Sequence, residues 1–284
     1  MLAALALTTQ GPPATDIFVA DLVPGAGGPR VGTPHNATRR PGYDNQPAFL
    51  PDGRAFLYTS VREDGQADIY RYDLAADSSV RVTVTTESEY SATPLPAGGF
   101  AVVRVEKDST QRLWRFDAAG QNPVLVLEHV KPVGYFAYGD DHTLGLFVLG
   151  RPASFQIADT RTGRADTIVA DIGRTIQKVP GKRAVSFVRR LSDIEWWITE
   201  FDLDTKVLRP LVRTLDGVDL YTWTPTGTLL AGSGSKIYRL SIAGTWVELA
   251  DLAGAGLTSI TRLAVSPSGD RLAIVALPNT GDSR

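Results

Sequence analysis

Phe49-Leu50-Pro51-Asp52-Gly53-Arg54-Ala55-Phe56-Leu57-Tyr58 is the stretch that decides the fold. Proline presets φ at the second position of a tight turn, and the small polar residue and glycine after it suit the next two. An apolar run on either side of such a turn reads as a β-hairpin. The pattern returns as Leu95-Pro96-Ala97-Gly98, Val179-Pro180-Gly181, Thr224-Pro225-Thr226-Gly227 and Ser266-Pro267-Ser268-Gly269, each before a short apolar run. The marker prolines lie at 51, 96, 180, 225 and 267, in steps of 45, 84, 45 and 42. The long step is two periods, and Tyr138-Gly139-Asp140-Asp141 before Leu144 fills the gap without a proline. Six β-rich repeats with this period indicate a propeller or an array. The apolar runs are continuous rather than alternating, as expected of strands covered on both faces.

A second motif trails each turn. It reads Asp68-Ile69-Tyr70-Arg71-Tyr72-Asp73, then Arg112-Leu113-Trp114-Arg115-Phe116-Asp117, Ser154-Phe155-Gln156-Ile157, Glu195-Trp196-Trp197-Ile198 and Lys236-Ile237-Tyr238-Arg239. Its alternation suits a third strand, and a further β-rich run completes a four-stranded blade. Trp114, Trp197, Tyr70 and Tyr238 are expected to pack between blades. The last turn lacks this motif, whereas Asp16-Ile17-Phe18-Val19-Ala20-Asp21-Leu22 near the N-terminus has no turn before it. The expected fold is therefore an all-β, six-bladed propeller of four-stranded antiparallel blades, with the N-terminal strands completing the last blade.

Leu50-Pro51-Asp52-Gly53 together with Tyr58-Thr59-Ser60-Val61-Arg62-Glu63-Asp64-Gly65 and Asp68-Ile69-Tyr70 resembles the repeat of the TolB-like six-bladed β-propellers. The resemblance is good in this repeat, recognisable in the second and last, and degraded in the third and fourth. TolB itself carries a separate N-terminal α/β domain, and none is expected before Asp16. The resemblance is to the propeller alone, so the role of TolB in its own assembly does not carry over. It implies a protein exported to the periplasm or secreted. Leu2-Ala3-Ala4-Leu5-Ala6-Leu7 resembles the tail of a secretory signal without its basic part. Residues 1–15 are accordingly expected to be an export-signal remnant or an unordered start, 16–277 the propeller, and 278–284 a tail.

The 27 glycines and 18 prolines supply turns for one large domain. The net charge of −2 argues against a nucleic-acid partner, which needs clustered Lys/Arg excess. Arg39-Arg40 and Arg189-Arg190 read as solvated pairs. The chain has no cysteine, hence no disulfide, thiolate metal site or cysteine nucleophile. His35, His129 and His142 lack metal-ligand spacing, and no metal or other cofactor is expected. No G-x-S-x-G elbow is present. Propellers also accompany hydrolase domains of prolyl-oligopeptidase type, which would require some 200 further residues. No apolar run reaches membrane-spanning length.

Aligned on the turn, the starts of the innermost strands bring Tyr43, Asn45, Gln46, Glu89, Tyr90, Tyr135, Arg174, Asp219, Tyr221 and Arg262 toward a channel mouth. Two arginines, two carboxylates and several tyrosines suit recognition of a polar protein, peptide or glycan ligand. The same residues could instead pair with one another and solvate the mouth. The expected function is a non-catalytic binding module, acting as a monomer. The alternative is a hydrolase or lyase for carbohydrate or peptide, with Glu89 and Asp219 as acid and base.

Overall fold

A computed structural model describes residues 12–25 and 28–277. The apolar tract at 2–7 and the tail at 278–284 lie outside the described residues. The chain opens with β1 (Asp16–Val23), β2 (Arg30–Val31) and β3 (His35–Asn36). Blade 1 comprises β4 (Tyr43–Phe49), β5 (Ala55–Val61), β6 (Ala67–Asp73) and β7 (Ser78–Arg81). Blade 2 is β8 (Ser88–Pro94), β9 (Phe100–Val105), β10 (Gln111–Phe116) and β11 (Val124–Leu125). Blade 3 is β12 (Val133–Tyr138), β13 (Thr143–Val148), β14 (Ser154–Asp159) and β15 (Ala165–Ala170). Blade 4 is β16 (Ile172–Lys178), β17 (Ala184–Arg190), β18 (Trp196–Asp202) and β19 (Leu208–Arg213). Blade 5 is β20 (Tyr221–Trp223), β21 (Leu229–Ser233), β22 (Lys236–Leu240) and β23 (Trp246–Asp251). Blade 6 takes its inner pair, β24 (Ile260–Val265) and β25 (Arg271–Ala276), from the C-terminal end and its third strand, β1, from the N-terminal end. All pairs within blades are antiparallel, and the expected six-bladed fold is what the chain forms. One 3₁₀ turn, Ala253–Ala255, interrupts the β-structure. Among the described residues no helix is long and apolar enough to cross a membrane.

The repeated turn closes each inner hairpin. The Gly53 N–H donates to the Leu50 carbonyl at 2.9 Å, and φ at Gly53 is +68°, where an L-residue would be strained. In blade 3 the missing proline is replaced by a side chain. The Asp140 carboxylate accepts the N–H groups of His142 and Thr143 at 2.9 and 2.7 Å, so an Asx turn takes the place of the proline.

The core lies between blades rather than at the centre. Six apolar clusters occupy the six interfaces. β25 shows why its apolar run is continuous. Ala273 and Val275 pack toward blade 1, while Leu272, Ile274 and Ala276 pack toward blade 5. β1 repeats the division, with Ile17 and Val19 on one face and Ala20 and Leu22 on the other. It pairs along its length with β25, from Asp16 opposite Ala276 to Asp21 opposite Arg271. Just before it, the Thr15 N–H donates to the Gly42 carbonyl and the Thr15 carbonyl accepts the Asp44 N–H, both at 3.0 Å, which ties the entry of β1 to β4.

The aromatic expectation holds for Tyr70, within the cluster between blades 6 and 1, and for Trp114, packed against the cluster between blades 1 and 2, and needs correction for Trp197 and Tyr238. The third strands bury Ile17, Ile69, Leu113, Phe155, Ile198 and Ile237, each at most 1 % exposed. Tyr70 is buried, but Trp114, Trp197 and Tyr238 are only half-buried. Trp114 and Trp197 donate their ring N–H groups to Glu106 and Glu195, at 2.8 and 3.0 Å.

This packing sets two expected outcomes. Deleting residues 1–22 removes β1 from two apolar interfaces and should abolish cooperative thermal unfolding, whereas deletion of 1–14 leaves Thr15 in place and should shift the midpoint little. Equal melting of both truncations would contradict the closure. Leu113→Ala should cost about 2–5 kcal/mol in chemical denaturation, and Trp197→Ala clearly less, because Trp197 is only half-buried and belongs to none of the apolar clusters. The reverse order would overturn the assignment of faces.

Candidate functional site

The inner strands surround the axis, and their register breaks near their starts. Breaks fall between Asn45 and Ala48, Tyr90 and Thr93, Val133 and Tyr135, Ile172 and Ile176, and Ile260 and Arg262. At Gln46 and Ser91 φ is +58° and +56°. Such bulges re-aim side chains out of the ladder. Beyond the breaks lies a cavity of about 500 Å³ along the axis. Gln46, Ser91, Tyr135, Arg174, Leu220 and Arg262 line one end. The turn prolines 96, 180, 225 and 267 line the other. Between them the wall combines small apolar residues, Pro47, Ala48, Ala92, Ala137, Ala264 and Val265, with polar and aromatic ones such as Thr93, Gln177, Thr222 and Trp223.

Five of the expected mouth residues come from five blades to one neighbourhood: Tyr90, Tyr135, Arg174 and Arg262 all stand within electrostatic reach of Tyr43. Burial pushes the Tyr43 hydroxyl up to about 12, opposed by Arg262. Burial likewise raises Tyr90. The Arg262 guanidinium carbon lies 5.6 Å from the centre of the Tyr135 ring, within cation–π range.

The remaining five residues serve the joints between strands and blades, and two of them, Gln46 and Tyr221, also line the cavity. The Gln46 Oε1 accepts the Ser91 N–H at 2.7 Å and the Thr59 hydroxyl at 2.9 Å, which latches blade 1 to blade 2. The Asn45 amide donates to the Thr15 hydroxyl at 3.3 Å, on the strand that enters blade 6. The Tyr221 hydroxyl, deeply buried, donates to the Ser186 Oγ at 2.8 Å and joins blade 5 to blade 4. Burial drives its pKa far upward.

The expected ring of two carboxylates opposite two arginines is not what the geometry gives. Asp219 is buried, and its carboxylate accepts Arg174 Nε at 3.2 Å and Arg174 Nη2 at 3.1 Å. Arg190 Nη2 reaches the same group at 3.4 Å. Burial raises the Asp219 carboxyl, but the bonds from Arg174 outweigh it and hold the pKa below the usual value. Glu89 is fully buried on the blade side. It accepts the Thr85 hydroxyl at 2.6 Å and Arg104 Nε at 3.1 Å, and burial keeps its pKa above normal.

One member of each basic pair proves to be more than a solvated end. Arg40 contacts Asp44 at 3.2 Å, as Arg190 contacts Asp219. Each carboxylate at the head of an inner strand here, Asp44, Glu89 and Asp219, thus has its own arginine. Sequence reasoning missed Thr15, Arg104 and the role of Arg190. For Arg190 a signal existed: it ends a second strand, beside the inner-strand head of its own blade.

Among the described residues no three His, Cys, Asp or Glu side chains converge so as to hold a metal ion. No protein-family profile matches the chain. Solved structures share its fold. A TolB-type protein of Agrobacterium tumefaciens superposes with a TM-score of 0.72 at 15 % identity, over 92 % of this chain and 98 % of that one. A gluconolactonase of Xanthomonas campestris superposes with a TM-score of 0.68 at 12 % identity, over 95 % and 99 %. An oligogalacturonate lyase of Vibrio parahaemolyticus gives 0.55 at 12 % identity, over 96 % and 100 %. The architecture is that of a TolB-like six-bladed propeller.

Asp219 gives the site a measurable acid limit. A carboxylate whose pKa is depressed on folding stabilises the fold above its ordinary range and loses that contribution as pH falls through its folded value. Asp219→Asn should therefore lower stability at neutral pH by about 1–3 kcal/mol, toward the lower end because Arg174 is half in solvent. The deficit should shrink below about pH 4, where the parent also loses its charge. Denaturant midpoints measured across pH check this, and a deficit constant with pH would exclude the ion pair as its source.

Proposed function

We propose that the chain is a non-catalytic binding module that receives a protein, peptide or glycan ligand in its central channel. The observation that carries this reading is convergence. Gln46, Tyr135, Arg174, Tyr221 and Arg262 come from five separate blades to line an open cavity of about 500 Å³, and Tyr43 stands within electrostatic reach of three of them. That volume is in the range of ligand pockets, and tyrosine offers an apolar face with a polar tip. The enzymatic alternative asks Glu89 and Asp219 to exchange protons with a substrate. Both are committed to arginines, and Glu89 points into the joint between blades. The gluconolactonase and lyase folds support the architecture and add no reaction to this chain. The resemblance to TolB-like propellers and the apolar tract at 2–7 support export to a periplasmic or extracellular location.

A channel-filling variant tests the reading without touching the polar cluster. Ala48 lines the cavity, is half-buried and belongs to none of the apolar clusters, so Ala48→Trp should obstruct the channel while the blades stay packed. Wild type probed on mixed peptide and glycan arrays should bind a defined subset, and Ala48→Trp should lose it while melting within a few degrees of the parent. No binding by the wild type, or an unchanged pattern in the variant, would overturn the channel as the binding site.

A further inference from the structure

We infer that the channel selects anionic ligands, specifically an extended acidic peptide segment, with Arg262 as the carboxylate contact at one end and Lys178 as a second further along. The inference rests on the channel reading above and adds the chemistry of the occupant. The residues lining the cavity include Arg174, Lys178 and Arg262 but no aspartate or glutamate. This is a marked local excess in a chain whose net charge is −2.

The three cations are not equivalent. Arg174 shares Asp219 with Arg190, so one carboxylate already answers two guanidinium groups. Arg262 has no such partner. Its Nε is buried without a hydrogen bond, and no ion pair joins it to another described residue. A buried guanidinium nitrogen left unpaired is costly, and a ligand carboxylate would relieve that cost through two parallel hydrogen bonds. The Ser91 hydroxyl, on the same cavity wall, is likewise buried and unpaired. Lys178 donates to the Gly139 carbonyl and meets no carboxylate among the described residues.

The spacing points to a chain rather than a small anion. Arg174 and Arg262 each stand two residues into their inner strands, at matching levels, and Lys178 lies four residues beyond Arg174. At about 3.3 Å per strand residue four residues span at most roughly 13 Å, and the bulge between Ile172 and Ile176 shortens this, so the two levels lie somewhat closer than that along the axis. A peptide lying along the channel brings acidic side chains to both levels. The wall between them mixes proline, alanine and valine with Thr93, Gln177 and Thr222, so an extended peptide can set both short apolar side chains and backbone polar groups against it.

Fluorescence polarisation with a tagged decapeptide alternating aspartate and alanine tests this, against the same peptide with asparagine for aspartate. The expected result is at least tenfold tighter binding of the acidic peptide. The preference should collapse in Arg262→Gln and fall about threefold in Lys178→Gln, and Arg209→Gln on the outer strand of blade 4 should leave it intact. A second readout is independent of the variants: raising salt from about 50 to about 500 mM should weaken wild-type binding severalfold. Equal affinity for both peptides, or an acidic preference that survives Arg262→Gln, would overturn the inference. Tighter binding of oligogalacturonate than of the acidic peptide would overturn the peptide assignment. The array pattern lost in Ala48→Trp would still stand in each case, which separates failure of this inference from failure of the channel itself.

Discussion

A blade in this molecule has two apolar faces and cannot be stable alone, so everything depends on the ring being closed. β1 closes it. The strand comes from the opposite end of the chain, pairs with β25 and sends alternate side chains into the interfaces with blades 5 and 1. Two of the six apolar clusters contain its residues. Closure also reaches the channel. Thr15, one residue ahead of β1, holds the start of β4 through the carbonyl of Gly42, the N–H of Asp44 and the side chain of Asn45. Tyr43 stands on that same segment, so the strand that completes blade 6 also sets where blade 1 presents its tyrosine.

The electrostatics of the axis reflect a division of labour. Carboxylates at the heads of the inner strands are committed to the joints: Asp44 with Arg40, Glu89 with Arg104, Asp219 with Arg174 and Arg190. Pairs of this kind fix geometry more than they add stability, because desolvation offsets much of their attraction. With the acids turned away, the channel wall keeps arginine and lysine, and its character is cationic although the chain as a whole is slightly acidic.

The fold was legible because turn chemistry repeats. Proline and glycine at Leu50-Pro51-Asp52-Gly53 and its copies mark every inner hairpin but one, and there Asp140 substitutes by hydrogen bonding. The orphan motif at Asp16-Ile17-Phe18 was enough to place the closing strand. The site was legible only in part. Spacing from the turn brought Tyr43, Tyr90, Tyr135, Arg174 and Arg262 to one place, yet it could not say which way Glu89, Asp219 or Gln46 faces. A bulge adds a residue and rotates the side chains beyond it, and positive φ at Gln46 and Ser91 is not written in residue type. Trp197 and Tyr238 misled for a related reason. Their size suggests burial, but period-two alternation gives the core to the adjoining Ile198 and Ile237.

Native-state hydrogen exchange, resolved along β1 and β25, tests the closure most directly. If β1 is an integral strand of blade 6, its amides from Ile17 to Leu22 exchange only through global unfolding, with the same protection as those of β25. Protection of β25 together with rapid exchange across β1 would contradict the account.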